Sequence, residues 1–154
     1  SKDLALPGER IGYIAVHPNI ENKPELIDAL IFCNRSLGFV NAPALMQRVV
    51  ASLQSVTIDV EKYQQKRDFL YPKLTEMGYE IVKPSGAFYM FPRSPIQDDV
   101  KFAEELLNHK VLVVPGTGFG LPGYFRLSYC LEDSVLEGSL SGFEAALRNY
   151  KKIN

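Results

Sequence analysis

Residues 111–130, VLVVPGTGFGLPGYFRLSYC, carry the strongest fold signal in the chain. The apolar run VLVVP (111–115) and the stretch YFRLSYC (124–130) are rich in β-branched and aromatic residues, which favour strands. The segment GTGFGLPG lies between them, and its glycines and proline predict a loop. The stretch therefore predicts two short strands joined by a turn-rich connection.

A helix is predicted on each side of this strand pair. On the amino-terminal side, residues 99–108 form an amphipathic stretch that follows an acidic cap. On the carboxy-terminal side, a helix is expected from about Asp133, because apolar residues recur there at spacings of three and four. The acidic pair Asp98–Asp99 is interpreted as a helix cap, and Glu104–Glu105 as a solvated helix face.

Further upstream, the spacing of apolar residues alternates between that of a helix and that of a strand. Asp59 is a good N-cap and Gly78 a natural stop for a long amphipathic helix. Residues 79–82 and 87–91 predict two strands, and the Pro84-Ser85-Gly86 turn separates them. This order predicts an α/β (α+β) fold in which helices cover a small mixed or antiparallel sheet.

The first part of the chain predicts one strand and two helices. Residues 11–17, IGYIAVH, form a short apolar run that predicts a buried strand. Pro24 occupies the expected first turn of one helix, and Gly38 ends that helix. Leu45 and Val49 belong to a second helix, where apolar residues recur every four positions.

Bulk composition excludes several classes of function. The chain has 46% hydrophobic and 23% charged residues and a net charge of -1, so neither a nucleic-acid-binding surface nor a basic membrane surface is expected. Cys33 and Cys130 are far apart in apolar surroundings, which predicts buried thiols. His17 and His109 are too scattered to form a metal site. A cytoplasmic location is expected.

Lys2 and Arg10 are the first candidate functional residues, and a Pro7-Gly8 turn separates them. A lysine amine forms an imine with an aldehyde cofactor, and an arginine guanidinium binds phosphate with two parallel hydrogen bonds. From the spacing alone, two solvated surface cations are the more common outcome. Both interpretations stay open at this point.

Arg126 is the second candidate, because it is a cation within an apolar strand, between Phe125 and Leu127. A half-buried arginine needs an anionic partner, since burying an unpaired charge is costly. A structural salt bridge and an anionic ligand explain such a residue about equally well. Tyr89 and Phe91 are most simply core aromatics.

Four motifs together resemble the class I/II, fold type I, pyridoxal-phosphate-dependent aminotransferases. Residues 1–13 match every position of the family's attachment-site pattern around its Schiff-base lysine. The other three resemble the family's Gly-Ala-Phe-Tyr strand, its Val-Pro-Gly-x-x-Phe-Gly loop and its Arg-Leu-Ser strand, and they occur at 86–89, 113–120 and 126–128. All four occur in family order.

The resemblance implies a role for each candidate residue. Lys2 would be the catalytic lysine that binds pyridoxal 5'-phosphate, Arg10 would bind the cofactor phosphate, and Ser1 would assist near that phosphate. Arg126 would bind the α-carboxylate of the substrate. The implied reaction transfers an amino group between an amino acid and a 2-oxo acid, and no metal takes part.

The resemblance also implies an organisation. Residues 1–20 would be a remnant of the large cofactor-binding domain, and residues 21–154 the interdomain helix and the small carboxy-terminal domain. The amino-terminal large domain would supply the acid at the pyridine nitrogen and the aromatic residue that stacks on the ring. We therefore expect a fragment that is inactive alone and a homodimer when complete, with no nucleic-acid or membrane partner.

Three alternatives remain beside an aminotransferase. A sister pyridoxal-phosphate lyase or decarboxylase has the same fold. A bacterial transcription regulator can carry an aminotransferase-like sensing domain with the same lysine and arginines. A non-catalytic interaction domain is the third. The donor amino acid stays open in every case.

Overall fold

The computed structural model describes residues 2–151, and the chain divides into two compact units, Ser1–Ile58 and Asp59–Asn154. We call these the amino-terminal unit and the carboxy-terminal unit. The boundary between the units coincides with Asp59, the predicted N-cap of the long helix.

The amino-terminal unit contains a 3-10 turn at Pro7–Glu9 and two helices, α1 (Lys23–Ser36) and α2 (Ala44–Ser52). Pro24 occupies the first turn of α1, where its missing N–H leaves no bond unmade. Gly38, at φ +83°, follows α1 in the left-handed conformation that glycine favours. None of the described residues of this unit is buried.

The carboxy-terminal unit contains three helices, three short strands and a 3-10 turn. In chain order they are α3 (Val60–Met77), β1 (Tyr89–Met90), α4 (Asp99–Asn108), β2 (Val114–Pro115), the turn Gly116–Phe119, β3 (Phe125–Ser128) and α5 (Asp133–Lys151). The predicted fold class is confirmed: helices cover a small antiparallel sheet.

Aspartate side chains cap the starts of α3 and α4, and a glycine ends α3. The Asp59 carboxylate accepts the backbone N–H of Lys62 at 3.4 Å, and the Asp98 carboxylate accepts that of Lys101 at 3.0 Å. Gly78 ends α3 at φ +106°, where a Cβ atom would be strained. These contacts confirm the helix boundaries predicted from the sequence.

The sheet has three strands in the order β1-β3-β2, and both pairings are antiparallel. Tyr89 pairs with Ser128 on one side of β3, and Val114 pairs with Arg126 on the other. Along β3, Phe125 and Leu127 are buried while the two residues that alternate with them are half-buried. The period of two therefore directs Arg126 away from the core.

The core lies between the buried face of the sheet and α3, α4 and α5. Phe125 is at its centre with 0% exposure, and the ring centroids of Phe102, Tyr79 and Phe143 lie 5.4, 5.9 and 6.4 Å from its own. The buried Tyr79 hydroxyl donates to the Phe143 carbonyl at 2.9 Å, which satisfies its only donor.

Two predicted strands are wrong. Residues 11–17 adopt no strand and are mostly exposed, because the described residues of this unit contain no strand that could pair with them. Residues 79–82 also lie outside the sheet; the Arg93 N–H donates to the Glu80 carbonyl at 2.9 Å, but no ladder forms. The three remaining strands are confirmed, although each is shorter than predicted.

Three predictions about individual side chains are also wrong. Cys33 and Cys130 are both exposed thiols, the first on a helix that buries nothing and the second just after β3. Glu105 does not lie on a solvated helix face but is half-buried. Hydrogen bonds from Asn149 and from His109 hold the pKa of Glu105 below its ordinary value.

No helix within residues 2–151 is both long enough and apolar enough to cross a lipid bilayer.

Candidate functional site

Arg126 is held against two aromatic rings. Its guanidinium carbon Cζ lies 4.4 Å from the ring centroid of Tyr89 and 4.1 Å from that of Phe119. Distances below about 6 Å give attraction between a cation and the π-electrons of a ring. We call Tyr89 and Phe119 the aromatic clamp.

Strand pairing explains how Tyr89 reaches Arg126. Tyr89 pairs with Ser128, which lies two residues beyond Arg126 on β3. Side chains at i and i+2 of a strand share one face, so Tyr89 is the diagonal neighbour of Arg126. Tyr89 packs partly against the core, as predicted from the sequence, and also contacts Arg126.

Phe119 reaches Arg126 from the 3-10 turn that follows β2. It is 45% exposed, and its ring meets that of Phe91 edge-on at 5.7 Å between centroids. Phe91 is half-buried and supports Phe119 from behind. The loop GTGFGLPG thus delivers an aromatic ring onto Arg126.

Asp99 anchors that loop. Its carboxylate, 3% exposed, accepts both the backbone N–H and the hydroxyl of Thr117, each at 2.7 Å. Burial opposes ionisation of this carboxyl, but the hydrogen bonds from Thr117 and from the backbone of Gly123 outweigh it and lower its pKa. An ionised, buried carboxylate therefore fixes the turn two residues before Phe119.

Gly116 is required at the start of the same loop. A Cβ atom there would lie 2.2 Å from the Leu121 carbonyl oxygen and 2.7 Å from that of Tyr124. The Gly116 N–H donates to the Tyr124 carbonyl at 2.8 Å, which joins the loop to the residue before β3. The position of the loop relative to Arg126 is therefore set by backbone contacts as well as by Asp99.

The segment before β1 is fixed by a charged cluster and a tyrosine. The Arg67 guanidinium donates to the Pro84 carbonyl at 3.2 Å, and the Tyr129 hydroxyl donates to the Ala87 carbonyl at 3.0 Å. Hydrogen bonds from Arg67 and Lys83 lower the pKa of Asp68 to about 2. This cluster holds the turn from which β1, and hence Tyr89, begins.

Arg126 has no acidic partner within residues 2–151: no Asp or Glu carboxylate of this part of the chain forms an ion pair with it. A structural salt bridge, one of the two interpretations of Arg126, is therefore absent from the described residues. Arg126 is half-buried, and its guanidinium lies over two aromatic rings. An anion from outside the unit is the partner that this arrangement fits.

Lys2 and Arg10 belong to the amino-terminal unit. Lys2 lines an open groove of about 840 Å³ with Tyr13 and with Gln47 and Val50 of α2. Arg10 follows the 3-10 turn, and its Nη1 atom donates to the Pro7 carbonyl at 3.0 Å. Both side chains are exposed. Ser1 lies outside the described residues.

Comparison with known proteins identifies the family. The aminotransferase class I and II model matches residues 1–141. This chain belongs to the class I and II aminotransferase family. The match includes all of the sequence motifs and the first nine residues of α5.

Two curated relatives extend this finding. The aminotransferase chain is 34% identical over 150 residues to a probable aspartate aminotransferase of Methanocaldococcus jannaschii, covering 91% of the chain and 39% of that protein. It is 33% identical over 161 residues to aromatic-amino-acid aminotransferase 2 of Thermococcus litoralis, covering 99% of the chain and 41% of that protein. The aminotransferase chain thus spans about two fifths of the length of these relatives.

A solved structure supports the fold. An aminotransferase of Eubacterium rectale superposes with a TM-score of 0.80 at 42% sequence identity, covering 97% of this chain and 37% of the solved one. The aminotransferase chain therefore has the architecture of part of a larger family member.

Sequence reasoning selected Arg126 but missed its surroundings. The sequence predicts a core position for Tyr89, a turn-rich loop around Phe119 and a helix cap at Asp99, but none of these predictions places the three residues around Arg126. The signal that could have found Tyr89 is strand pairing. Tyr89 on β1 pairs with Ser128, which lies two residues from Arg126 on β3, so the side chains of Tyr89 and Arg126 share one face of the sheet.

Proposed function

We propose that this chain is the carboxy-terminal part of a pyridoxal-phosphate-dependent aminotransferase, which transfers an amino group between a 2-amino acid and a 2-oxo acid. The observation that carries the proposal is Arg126, half-buried, stacked on two rings and unmatched by any acid of the described residues. Both substrates of a transaminase carry a carboxylate next to the reacting carbon, and one arginine can bind each in turn.

The proposed role of Arg126 follows from its geometry. The guanidinium offers parallel N–H donors that match the two oxygens of a carboxylate. The aromatic rings contact it through π-electrons, which accept none of the strong hydrogen bonds that the N–H groups make. Arg126 would therefore bind the α-carboxylate and orient the bond from the α-carbon to its proton for transfer.

The residues of the amino-terminal unit fit pyridoxal phosphate chemically. Lys2 offers a primary amine beside a groove whose volume, about 840 Å³, lies in the range of small-molecule sites. Arg10 offers a guanidinium for a phosphate dianion, and its recorded partner is a backbone carbonyl. Ser1 would add a hydroxyl near that phosphate. Residues 1–20 would belong to the cofactor-binding domain of the complete protein.

When bound, the cofactor supplies an aldehyde for condensation with amines and an electron-withdrawing ring. Lys2 would hold the cofactor through its Nζ atom. After the substrate amine displaces it, the same Nζ would take the proton from the substrate α-carbon and deliver it to the C4′ carbon of the cofactor, and in the second half of the reaction it would move a proton in the opposite direction. We expect the 154-residue chain alone to be inactive, because its amino-terminal unit buries none of its described residues and offers no dry site around Lys2.

We propose the amino-group donor as a class of compound, the α-amino acids, and not as one particular amino acid. Relatives are named for aspartate, for aromatic amino acids and for N-acetyl-LL-diaminopimelate. Their common feature is an α-amino acid, whose carboxylate Arg126 would bind. We propose that the complete protein acts as a homodimer, as the family resemblance implies.

Borohydride reduction of the complete protein with pyridoxal phosphate tests the role of Lys2. We expect loss of the visible absorbance band and a stable label on the peptide that contains Lys2. Lys2→Ala should abolish the label, whereas Lys101→Ala, which removes an exposed lysine of α4, should retain it. A label on another lysine of the unaltered protein would refute the assignment.

Steady-state kinetics of Arg126→Lys tests the carboxylate role. We expect KM for the amino acid and the 2-oxo acid to rise about tenfold to hundredfold, because lysine keeps the charge but loses the paired donors. Cofactor absorbance should persist. Arg148→Lys is the matched control, since Arg148 pairs with Glu144 on the surface of α5. Unchanged KM in Arg126→Lys would remove Arg126 from the site.

A further inference from the structure

We propose that Tyr89 and Phe119 are positioning residues: the aromatic clamp holds the Arg126 guanidinium in the orientation that presents its N–H groups to a carboxylate. This inference rests on the proposed function of Arg126 and adds a requirement to it. The clamp does not contact the reacting atoms, and its effect passes through Arg126.

The need for such a clamp follows from the arginine side chain. Arginine has several rotatable bonds, and fixing them costs conformational entropy each time the side chain is ordered. Arginines are usually held by a carboxylate, but Arg126 has no such partner within residues 2–151. A carboxylate would also occupy the N–H groups that the substrate needs. Aromatic rings can restrain the guanidinium without occupying them.

The two halves of the clamp come from different elements, and each is fixed independently. Tyr89 belongs to β1 and is placed by its pairing with Ser128. Phe119 belongs to the turn that Asp99 anchors through Thr117. Two contacts from separately fixed elements restrain the guanidinium more tightly than one contact from a neighbouring residue would.

Phe119 is the more informative half, because burial does not explain its position. It is 45% exposed, so it adds little to the core, yet the loop that carries it is anchored by a buried carboxylate and by the close approach at Gly116. Its ring meets the ring of Phe91 at 5.7 Å between centroids and lies 4.1 Å from the guanidinium carbon of Arg126. An anchored loop that presents an exposed ring to one arginine fits a role in positioning that arginine.

The test is NMR spectroscopy of the arginine Nε–Hε groups in the 154-residue chain, with acetate as the carboxylate probe. The Arg126 signal is assigned by its loss in Arg126→Lys. A proton held over aromatic rings is shifted upfield by ring currents, so we expect an upfield Arg126 Hε signal. Acetate should perturb that signal saturably.

Phe119→Leu removes the ring but keeps an apolar side chain of similar size. We expect the Arg126 signal to move downfield and half-saturation by acetate to need about fivefold to thirtyfold more acetate, which corresponds to a cation–π contact of a partly desolvated arginine. Phe119→Tyr keeps the ring and should restore both values. This rescue separates loss of the ring from general damage to the loop.

Phe69→Leu is the matched control. Phe69 also carries a cation on its ring, Lys73 at 5.1 Å, and also packs partly against the core, but it lies on α3 and does not contact Arg126. The same substitution there should leave the Arg126 signal and the acetate titration unchanged.

The outcomes separate the two proposals. If acetate does not perturb the Arg126 signal in the unaltered chain, the proposed carboxylate role of Arg126 is refuted. The proposed role of the aromatic clamp, which depends on it, is then refuted as well. If acetate binds but Phe119→Leu changes neither the shift nor the half-saturation, only the clamp is overturned. An equal loss in Phe119→Leu and Phe69→Leu also overturns it, because the effect would then be one of stability.

Discussion

The amino-terminal unit and the carboxy-terminal unit are both rich in apolar residues, but only the second buries them. Every buried hydrophobic residue in the described part of the chain lies between Leu70 and Leu147. In the first unit, Phe32 and Phe39 are exposed, as is most of α1. The difference lies in the sheet: a helix buries its apolar stripe only against another layer, and the first unit has no strand within its described residues.

The same difference divides the candidate site. Arg126 is stacked, anchored and half-buried by residues of its own unit. Lys2 is exposed beside an open groove. The proposed carboxylate-binding residue is thus held in place by its own carboxy-terminal unit. The proposed cofactor-binding residues are not enclosed by the amino-terminal unit.

The largest expected contrast comes from removing one ring in each unit. Phe125→Ala empties the centre of the core and should lower the free energy of unfolding by about 3–5 kcal/mol. Phe39→Ala removes a ring that is 72% exposed and should change the free energy of unfolding by less than about 0.5 kcal/mol. Urea denaturation followed by circular dichroism measures both. Equal losses would show that Phe39 is buried in solution and would break the comparison.

The sequence predicts a structural feature well when that feature depends on neighbouring residues, and poorly when it depends on a partner elsewhere in the chain. The ends of α3 follow from Asp59 and Gly78, because a cap and a left-handed glycine act on neighbouring backbone. The strand predicted at 79–82 fails because strand formation needs a partner elsewhere in the chain. Tyr79 has strand propensity, but its side chain enters the core and no ladder forms around it.

The candidate site divides in the same way. Arg126 was accessible from the sequence, since a cation within an apolar strand requires a partner. Its contacts with Tyr89 and Phe119 were not, because they depend on the register of β1 and on the course of a loop. Asp99 was correctly placed at a helix start, but its bonds to Thr117 span 18 residues and leave no local signature.

A smaller effect is expected from two glycines of α5, and it tests how closely the carboxy-terminal unit is packed. A Cβ atom at Gly142 would lie 2.5 Å from Val111 Cγ2 and 2.8 Å from the His109 carbonyl oxygen. Gly142→Ala should therefore destabilise the unit by about 1–3 kcal/mol.

Gly138 provides the control within the same helix, because nothing lies within 4 Å of its Cβ position. Gly138→Ala should stabilise the unit by about 0.5–1 kcal/mol, since alanine loses less backbone entropy than glycine on forming a helix. Thermal unfolding of both variants should give shifts of opposite sign. Stabilisation by both would mean that α5 is not packed closely against the segment that follows α4.

A further effect, of about the size expected for Gly138→Ala, concerns the response of the Asp99 anchor to acid. Because the folded-state pKa of Asp99 is depressed, its hydrogen bonds stabilise the unit above the unfolded value of about 3.9 and are lost as pH falls through the lower folded value. Asp99→Asn removes the charge that Thr117 and Gly123 stabilise. It should cost about 1 kcal/mol near pH 7, and the difference from the unaltered chain should shrink as pH falls below about 4.

Asp98→Asn is the neighbouring control, because asparagine caps a helix about as well as aspartate. Its effect should stay below about 0.5 kcal/mol across the same pH range. Urea denaturation at pH 7, 5 and 3 distinguishes the two carboxylates. If the cost of Asp99→Asn is the same at all three values, the pKa of this carboxyl is equal in the folded and unfolded states. The hydrogen bonds from Thr117 would then favour neither protonation state of Asp99, and its charge would add nothing to the anchoring of the loop that carries Phe119. The close approach at Gly116 would remain as the other constraint on that loop.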